Sequence, residues 1–163
     1  MPKAPTEKVI DRLPHVYRLV VSAGCTTTTT IEDALGLSHT MAYYSLRLLK
    51  NYKMVVEVVL GTLAVWCVDE ETAKRSIEEL KSEVRRLLCN NGRRYATPKR
   101  VLELIESDKY AYKVFSKYVS LGRPKKGKYK PITLAFASAV LRELFGEPKF
   151  QRNGRRPVYF VTC

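Results

Sequence analysis

Residues 38–50 carry hydrogen-bond donors and cations at a spacing suited to binding nucleic acid. Arg and Lys bind phosphate, while His, Thr and Tyr can hydrogen-bond to base edges or to the sugar-phosphate backbone. Apolar residues at Ala42, Leu46 and Leu49 recur with helical spacing and predict one buried stripe. The polar side chains on the other faces are therefore predicted to contact the DNA groove, and they are His39, Thr40, Tyr43, Tyr44, Arg47 and Lys50.

The segments around this helix, predicted at 38–52, have to position it. Gly36 permits a tight turn after a short helix at 31–35, and Ser38 is the predicted N-cap. Two β-branched runs on either side of a Gly61-Thr62 turn, at 54–60 and 63–68, predict a β-hairpin. Two helices and a hairpin in this order are typical of one class of nucleic-acid-binding domain.

The span from about residue 7 to residue 68 resembles the winged helix-turn-helix domains of archaeal and bacterial transcription regulators. One position departs from the pattern, because such domains usually turn into the wing through a glycine and this chain has Lys53 there. The resemblance implies that the 38–52 helix enters a DNA groove. The positions that carry it are Leu37-Ser38, Ala42-Tyr43-Tyr44, Leu46, Leu49 and Met54-Val55.

The same helix face also allows a different interpretation. Met41, Tyr43 and Tyr44 would form an apolar surface for docking a protein, since tyrosine and methionine are common at protein interfaces. The predicted wing tip, 60–62, has no cation, whereas a wing that binds phosphate carries Lys or Arg. Both features keep a protein-contact role open.

The charge of the chain is very unevenly distributed. The formal net charge is +13, and residues 1–89 hold 12 Lys and Arg against 11 Asp and Glu. Residues 90–163 hold 17 against 5, so nearly all of the excess positive charge lies in the second half. An excess of this size predicts an acidic partner, of which nucleic acid is the commonest.

Two segments of the second half concentrate the cations, a loop at 122–131 and a predicted hairpin turn at 152–156. Gly122-Arg123-Pro124 resembles the centre of an AT-hook, although Leu121 replaces the first arginine of that motif. Phosphate binding is the simpler prediction for both segments. The predicted contacts are Arg123, Lys125, Lys126, Lys128, Lys130, Arg152, Arg155 and Arg156.

Three predicted helices followed by a hairpin repeat the winged-helix order in the second half. The predicted fold is mainly α with small β-hairpins, an α+β class of tandem winged helix-turn-helix domains joined by a long helix. The predicted boundaries are 1–89 for the first domain including a helix at 69–89, 90–96 for a linker, and 97–163 for the basic domain. The helix at 132–145 is too apolar for groove contact and is predicted to be a core helix.

Apolar residues in the 69–89 helix alternate at spacings of four and three, which is a short coiled-coil seam. The seam is only about two heptads long, which is marginal for an independent coiled coil. The helix could therefore form a homodimer or pack within its own chain, and the sequence favours neither. The seam residues are Ala73, Ile77, Leu80, Val84 and Leu87.

Catalysis and metal binding find no support in the sequence. His15 and His39 have no acidic partner in a known motif, and Glu103 with Glu106 is an ordinary helical pair. The cysteines lack paired spacing, so we expect buried thiols or, in a thermophile, one or two disulfides among Cys25, Cys67, Cys89 and Cys163. No metal, cofactor or small-molecule ligand is predicted.

Three functions remain possible from the sequence. The favoured one is a double-stranded-DNA-binding protein, either a transcription regulator or a nucleoid component. The alternatives are an RNA- or ribosome-binding winged-helix protein and a protein-interaction winged helix of the transcription machinery. No apolar run approaches membrane-spanning length and no secretory signal is evident, so a cytoplasmic, nucleoid-associated location is expected.

Overall fold

The computed structural model describes residues 7–61, 63–123, 127–150 and 157–163. Within these residues the chain is mainly helical with small antiparallel sheets, which confirms the predicted mixed class. Contacts divide the chain into two units, one of Met1–Val58 with Ala64–Ser76 and one of Val59–Leu63 with Ile77–Cys163.

The first unit packs three helices beside a three-stranded sheet of order β1-β3-β2. Its core is formed by apolar residues of all three helices together with Trp66, whose indole Nε1 donates a buried hydrogen bond to Thr28 Oγ1 at 3.0 Å. The elements are α1 (Glu7–Ala23), β1 (Cys25–Thr27), α2 (Thr28–Leu35), α3 (His39–Asn51), β2 (Val56–Leu60) and β3 (Leu63–Cys67), of which the hairpin end at Val59–Leu63 is grouped with the second unit.

The α2–turn–α3 segment forms as the sequence predicts. Gly36 adopts a left-handed φ of 64°, and the Ser38 hydroxyl accepts a hydrogen bond from the Met41 amide at 3.2 Å. Helix α2 starts at Thr28, earlier than the predicted residue 31, because Thr27 is its N-cap. The turn and the caps fix where α3 begins, and therefore which side chains it presents.

Lys53, the position that departs from the winged-helix pattern in the sequence, has a left-handed φ of 60°. The Lys53 amide donates to the Lys50 carbonyl and the Met54 amide donates to the Leu49 carbonyl, both at 2.9 Å. These two bonds form the glycine-type C-terminal cap of α3 with a lysine at its left-handed position. A lysine there is strained, since left-handed backbone costs an L-residue roughly 1–2 kcal/mol.

Replacing Lys53 by glycine is therefore expected to stabilise the protein by roughly 0.5–1 kcal/mol, after the greater entropy of an unfolded glycine is subtracted. Urea unfolding of Lys53→Gly measures the change. Lys53→Ala is the matched control, because it removes the same charge but keeps the strained backbone. If Lys53→Ala proved as stable as Lys53→Gly, backbone strain would not be the cause.

The second unit surrounds an aromatic core. The ring centroid of Phe136 lies 5.2 Å from those of Phe115 and Tyr118. Tyr159 of the same unit is also fully buried. A three-stranded sheet has the order β4-β6-β5. The elements are β4 (Tyr95–Ala96), α5 (Pro98–Glu106), α6 (Lys109–Phe115), α7 (Pro131–Phe145), β5 (Lys149–Phe150) and β6 (Pro157–Phe160), preceded by the long α4 (Glu70–Asn90).

The predicted linker at 90–96 is largely structured. Helix α4 continues to Asn90, and Tyr95–Ala96 forms β4, which pairs with Tyr159 and Phe160 of β6. Only residues 91–94 connect the two elements. The contact boundary between the units falls within α4, between Ser76 and Ile77, instead of after it.

The apolar seam of α4 is covered within the chain. Ala73, Leu80, Val84 and Leu87 are buried and Ile77 is half-buried.

Two disulfides join all four cysteines. Cys25 pairs with Cys67 between the facing strands β1 and β3, and Cys89 of α4 pairs with Cys163 near the end of the chain. Their thiols are thereby unavailable for binding a metal. Among the described helices, we find none long and apolar enough to cross a membrane.

Candidate nucleic-acid interface

Helix α3 presents a continuous exposed face along about 20 Å, given its 13 residues and a rise of about 1.5 Å each. The predicted inner stripe of Ala42, Leu46 and Leu49 is buried, and Ser45 joins it. Thr40, Tyr44 and Arg47 follow one another at spacings of four and three and are exposed. These three side chains, called the α3 face below, lie free on one side of the helix.

Tyr43 has a different environment from Tyr44. It is half-buried, its ring centroid lies 6.0 Å from that of Trp66 in an edge-on arrangement, and His39 stacks on it at 6.0 Å. The Arg47 guanidinium carbon lies 5.8 Å from the centre of the same ring. Tyr43 therefore acts as a support that orients Arg47 and His39, rather than as a free contact.

Acidic side chains lie beside basic residues at both ends of α3. His39 Nδ1 lies 3.1 Å from Glu32 Oε2, and Lys50 Nζ lies 2.8 Å from Glu57 Oε1. Among the described residues, Arg47 has no acidic partner. Arg47 is consequently the cation of the α3 face that can bind a phosphate without first losing an ion pair.

Lys53 is a functional candidate that the prediction from sequence did not include. It is exposed and its backbone is fixed by the cap that ends α3. This candidate could have been found from the sequence, because Lys53 places a cation in the turn directly after the helix, where a glycine is usual.

Arg123 is held by its own chain. Its guanidinium Nη2 lies 2.5 Å from Glu106 Oε2, hydrogen-bonds to the Tyr129 hydroxyl, and its carbon lies 4.2 Å over the Tyr129 ring. The hydrogen bonds that Arg123 donates to the Glu106 carboxylate raise the pKa of Arg123, and burial raises the pKa of Tyr129 to about 12. A phosphate would have to displace Glu106, so Arg123 stabilises the loop instead of presenting a free charge.

The other predicted basic contacts divide into two groups. Lys128 is exposed, whereas Lys130 is half-buried and immediately precedes α7. The remainder lie outside the described residues, namely Lys125, Lys126, Arg152, Arg155 and Arg156.

Helix α7 buries six of its 15 residues, including Phe136, Val140 and Leu141, which is the core role that its composition predicts. Thr133 donates a hydrogen bond to the Ser120 carbonyl at 2.7 Å, and the hydroxyls of Ser138 and Tyr159 lie 2.5 Å apart. Both hydroxyls thus find hydrogen-bond partners elsewhere in the same unit. At Gly61 of the β2–β3 turn, a Cβ would lie 2.8 Å from Ala139 Cβ, so this uncharged turn rests against α7.

The outer face of the β4-β6-β5 sheet carries aromatic rings that the sequence did not reveal as a site. Tyr95 and Phe160 are directly opposite each other, with ring centroids 4.8 Å apart. They are 54% and 47% exposed, while their neighbours Ala96 and Tyr159 are buried. Lys149 Nζ lies 6.0 Å from the Phe160 ring centre.

A cleft of about 520 Å³ in the second unit is mainly apolar and is lined by α5, α7 and the 127–129 segment. The described part of the chain contains no group of three His, Cys, Asp or Glu side chains arranged to hold a metal.

Comparison with known proteins gives one structural match. A crystal structure of a hypothetical protein from Pyrobaculum spherical virus aligns with a TM-score of 0.83 and 28% sequence identity, over 96% of this chain and 97% of that chain. No family profile and no curated protein matches the chain. The similarity to the viral protein therefore extends through both units.

Proposed function

We propose that this protein binds double-stranded DNA, as a transcription regulator or a nucleoid component. In this proposal α2 and α3 form the helix-turn-helix of a winged-helix domain, with the β2–β3 hairpin as its wing. The order of α1, α2, α3 and the hairpin supports this assignment, as does Lys53 in the left-handed position of the family's glycine. The second unit, with helices followed by the β5–β6 pair, would be the second winged helix.

The observation that carries the proposal is the exposed α3 face with an unpaired arginine on it. A helix of about 20 Å fits the major groove, which is about 12 Å wide. Thr40 and Tyr44 can reach base edges or backbone, and Arg47 can bind a phosphate beside them. The near-neutral charge of the first 89 residues makes this face a specificity element more than a source of affinity.

Affinity in this proposal comes from the second unit. Four of the five acids in residues 90–163 lie within 4 Å of an arginine, with Arg86, Arg100, Arg123 and Arg142 as partners. Most of the remaining cations are therefore not neutralised. The resulting sequence-independent attraction to phosphate supplies most of non-specific binding.

A second function, docking of a protein partner, is favoured by one observation. Met41 and Tyr44 are 38% and 39% exposed on adjacent faces of α3. Exposed methionine and tyrosine suit a protein interface as well as a groove. The two functions differ in what they predict for a substitution of Arg47: DNA binding predicts weaker duplex affinity, and protein docking predicts no change.

The charge reversal Arg47→Glu is expected to weaken duplex binding by at least about five-fold at 0.15 M salt and to reduce the salt slope by about 0.9, the loss of one phosphate contact. Fluorescence anisotropy with a labelled duplex measures both quantities. Lys74→Glu is the matched control, since Lys74 is exposed on α4 in the same unit and carries the same charge.

The comparison of Arg47→Glu with Lys74→Glu shows whether the α3 face contacts the duplex. Equal weakening by both would mean that only total charge counts, and an unchanged affinity in Arg47→Glu would remove α3 from the interface. In either case the α3 face would be assigned to protein docking.

A further inference from the structure

We propose that the outer face of the β4-β6-β5 sheet binds unpaired nucleobases of a single-stranded nucleic acid. This site is separate from the α3 face and does not depend on duplex binding there. It consists of the Tyr95 and Phe160 rings with Lys149 beside them, and is called the sheet platform below.

The alternation of exposure along the strands makes the platform a defined surface. Ala96 and Tyr159 point into the core, so the cross-strand pair Tyr95 and Phe160 must point outward. β6 is the central strand of the sheet, which places Phe160 between β4 and β5. The two rings contact each other across the strands, and about half of each side chain stays accessible.

Tyr110 and Tyr112 of this unit are also exposed, but they lie on α6, whereas Tyr95 and Phe160 form a contacting pair of rings on a sheet. Burial of an aromatic side chain is strongly favourable, and this unit buries other large rings completely, including Phe115, Tyr118 and Phe136. Two adjacent rings left half-exposed on a sheet therefore suggest a surface used for binding.

The positive charge beside the platform favours a nucleic acid as the bound molecule. Lys149 lies over the Phe160 ring, and Arg94 precedes β4 with its carbonyl accepting a hydrogen bond from the Val161 amide at 2.9 Å. Arg94 and Lys149 are both exposed, and neither has an acidic partner among the described residues. Aromatic faces beside such cations match the combination of base stacking and phosphate attraction that binds single strands.

Duplex DNA does not fit this surface, because its bases are already stacked on one another. Stacking on an aromatic side chain requires a base that is exposed, and any base can supply the π-face. The platform therefore selects for unpaired bases and tolerates many sequences. Both single-stranded DNA and single-stranded RNA offer this chemistry.

The test uses the full-length protein with labelled oligothymidylate or oligouridylate of about 12 nucleotides, which is within the length bound by compact single-strand modules. Tyr95→Ala and Phe160→Ala are each expected to raise the Kd roughly 5- to 150-fold, the loss of one stacked base. Tyr112→Ala is the matched control, because Tyr112 is also an exposed tyrosine but lies on α6. It should leave the Kd unchanged.

Two further variants keep the result interpretable if the alanine variants unfold. Phe160→Tyr retains a ring and should bind as the wild type does, while Phe160→Leu retains apolar contact without a π-face and should bind as weakly as Phe160→Ala. Circular dichroism establishes that each variant is folded. Ultraviolet cross-linking of the wild type to oligothymidylate should modify Tyr95 or Phe160.

The outcomes are distinct. Tighter binding of oligouridylate would assign the platform to RNA and tighter binding of oligothymidylate would assign it to DNA, both in support. Wild-type affinity in Phe160→Leu, or no binding of either oligomer, would overturn the proposal. Duplex affinity measured on the same variants should not change, so failure of this site is distinguishable from failure of the α3 face.

Discussion

Reversal of three arginines, Arg152, Arg155 and Arg156 to glutamate, is expected to reduce duplex affinity by at least about 100-fold at 0.15 M salt. The estimate follows from counterion release, which contributes a slope of about 0.9 for each phosphate contact, or about 2.7 for three contacts. The slope of log affinity against log salt should decrease by that amount. Anisotropy titrations between about 50 and 300 mM salt measure both changes.

A control with the same change in net charge separates local contacts from total charge. Lys74, Lys109 and Lys113 are exposed lysines on α4 and α6. Their combined reversal should change affinity and slope much less. If the two triple variants were equivalent, or if the arginine variant bound like the wild type, the predicted hairpin turn would not be a phosphate-binding segment.

Loss of the two disulfides is the largest expected change in stability. In the chain-entropy description, closing a loop constrains the unfolded chain in proportion to the logarithm of loop length. The sequence separations are 42 residues for Cys25–Cys67 and 74 residues for Cys89–Cys163. Replacement of each pair by serine should lower the free energy of unfolding by about 4 and about 4.5 kcal/mol, respectively.

Urea unfolding of the two double-serine variants, with the oxidised wild type as reference, measures these losses. Cys25 and Cys67 are fully buried, while Cys163 is exposed, so a mild reductant should open the Cys89–Cys163 bond first. Mass spectrometry after alkylation follows the order of opening. An opposite order, or a loss below about 1 kcal/mol for both variants, would contradict the proposed contribution of the disulfides.

The sequence predicted the elements whose signals are local. Ser38 accepts the capping hydrogen bond expected of it, and the buried stripe of α3 follows from the spacing of its apolar residues. The apolar composition of α7 correctly indicated a core helix. Each of these features depends on residues within about two helical turns of one another.

Features that depend on distant partners were not predictable in the same way. β4 has two residues, too few to show alternation, and it exists because it pairs with β6 more than 60 residues later. Arg123 looked like a free cation in a basic loop, but Glu106 lies on the preceding α5 and neutralises it. The pairing of the cysteines likewise required the three-dimensional fold, since sequence alone allows three pairings of four cysteines.

Competition between duplex DNA and structured RNA of equal length, at fixed salt, tests the central claim most directly. The purified protein is incubated with both, and nuclease protection of a duplex library is recorded in parallel. We predict preferential binding of the duplex and protected regions on it, with the selected fragments giving a sharp motif for a regulator or a flat profile for a nucleoid component. Preference for the RNA with no protection on any duplex would contradict the assignment.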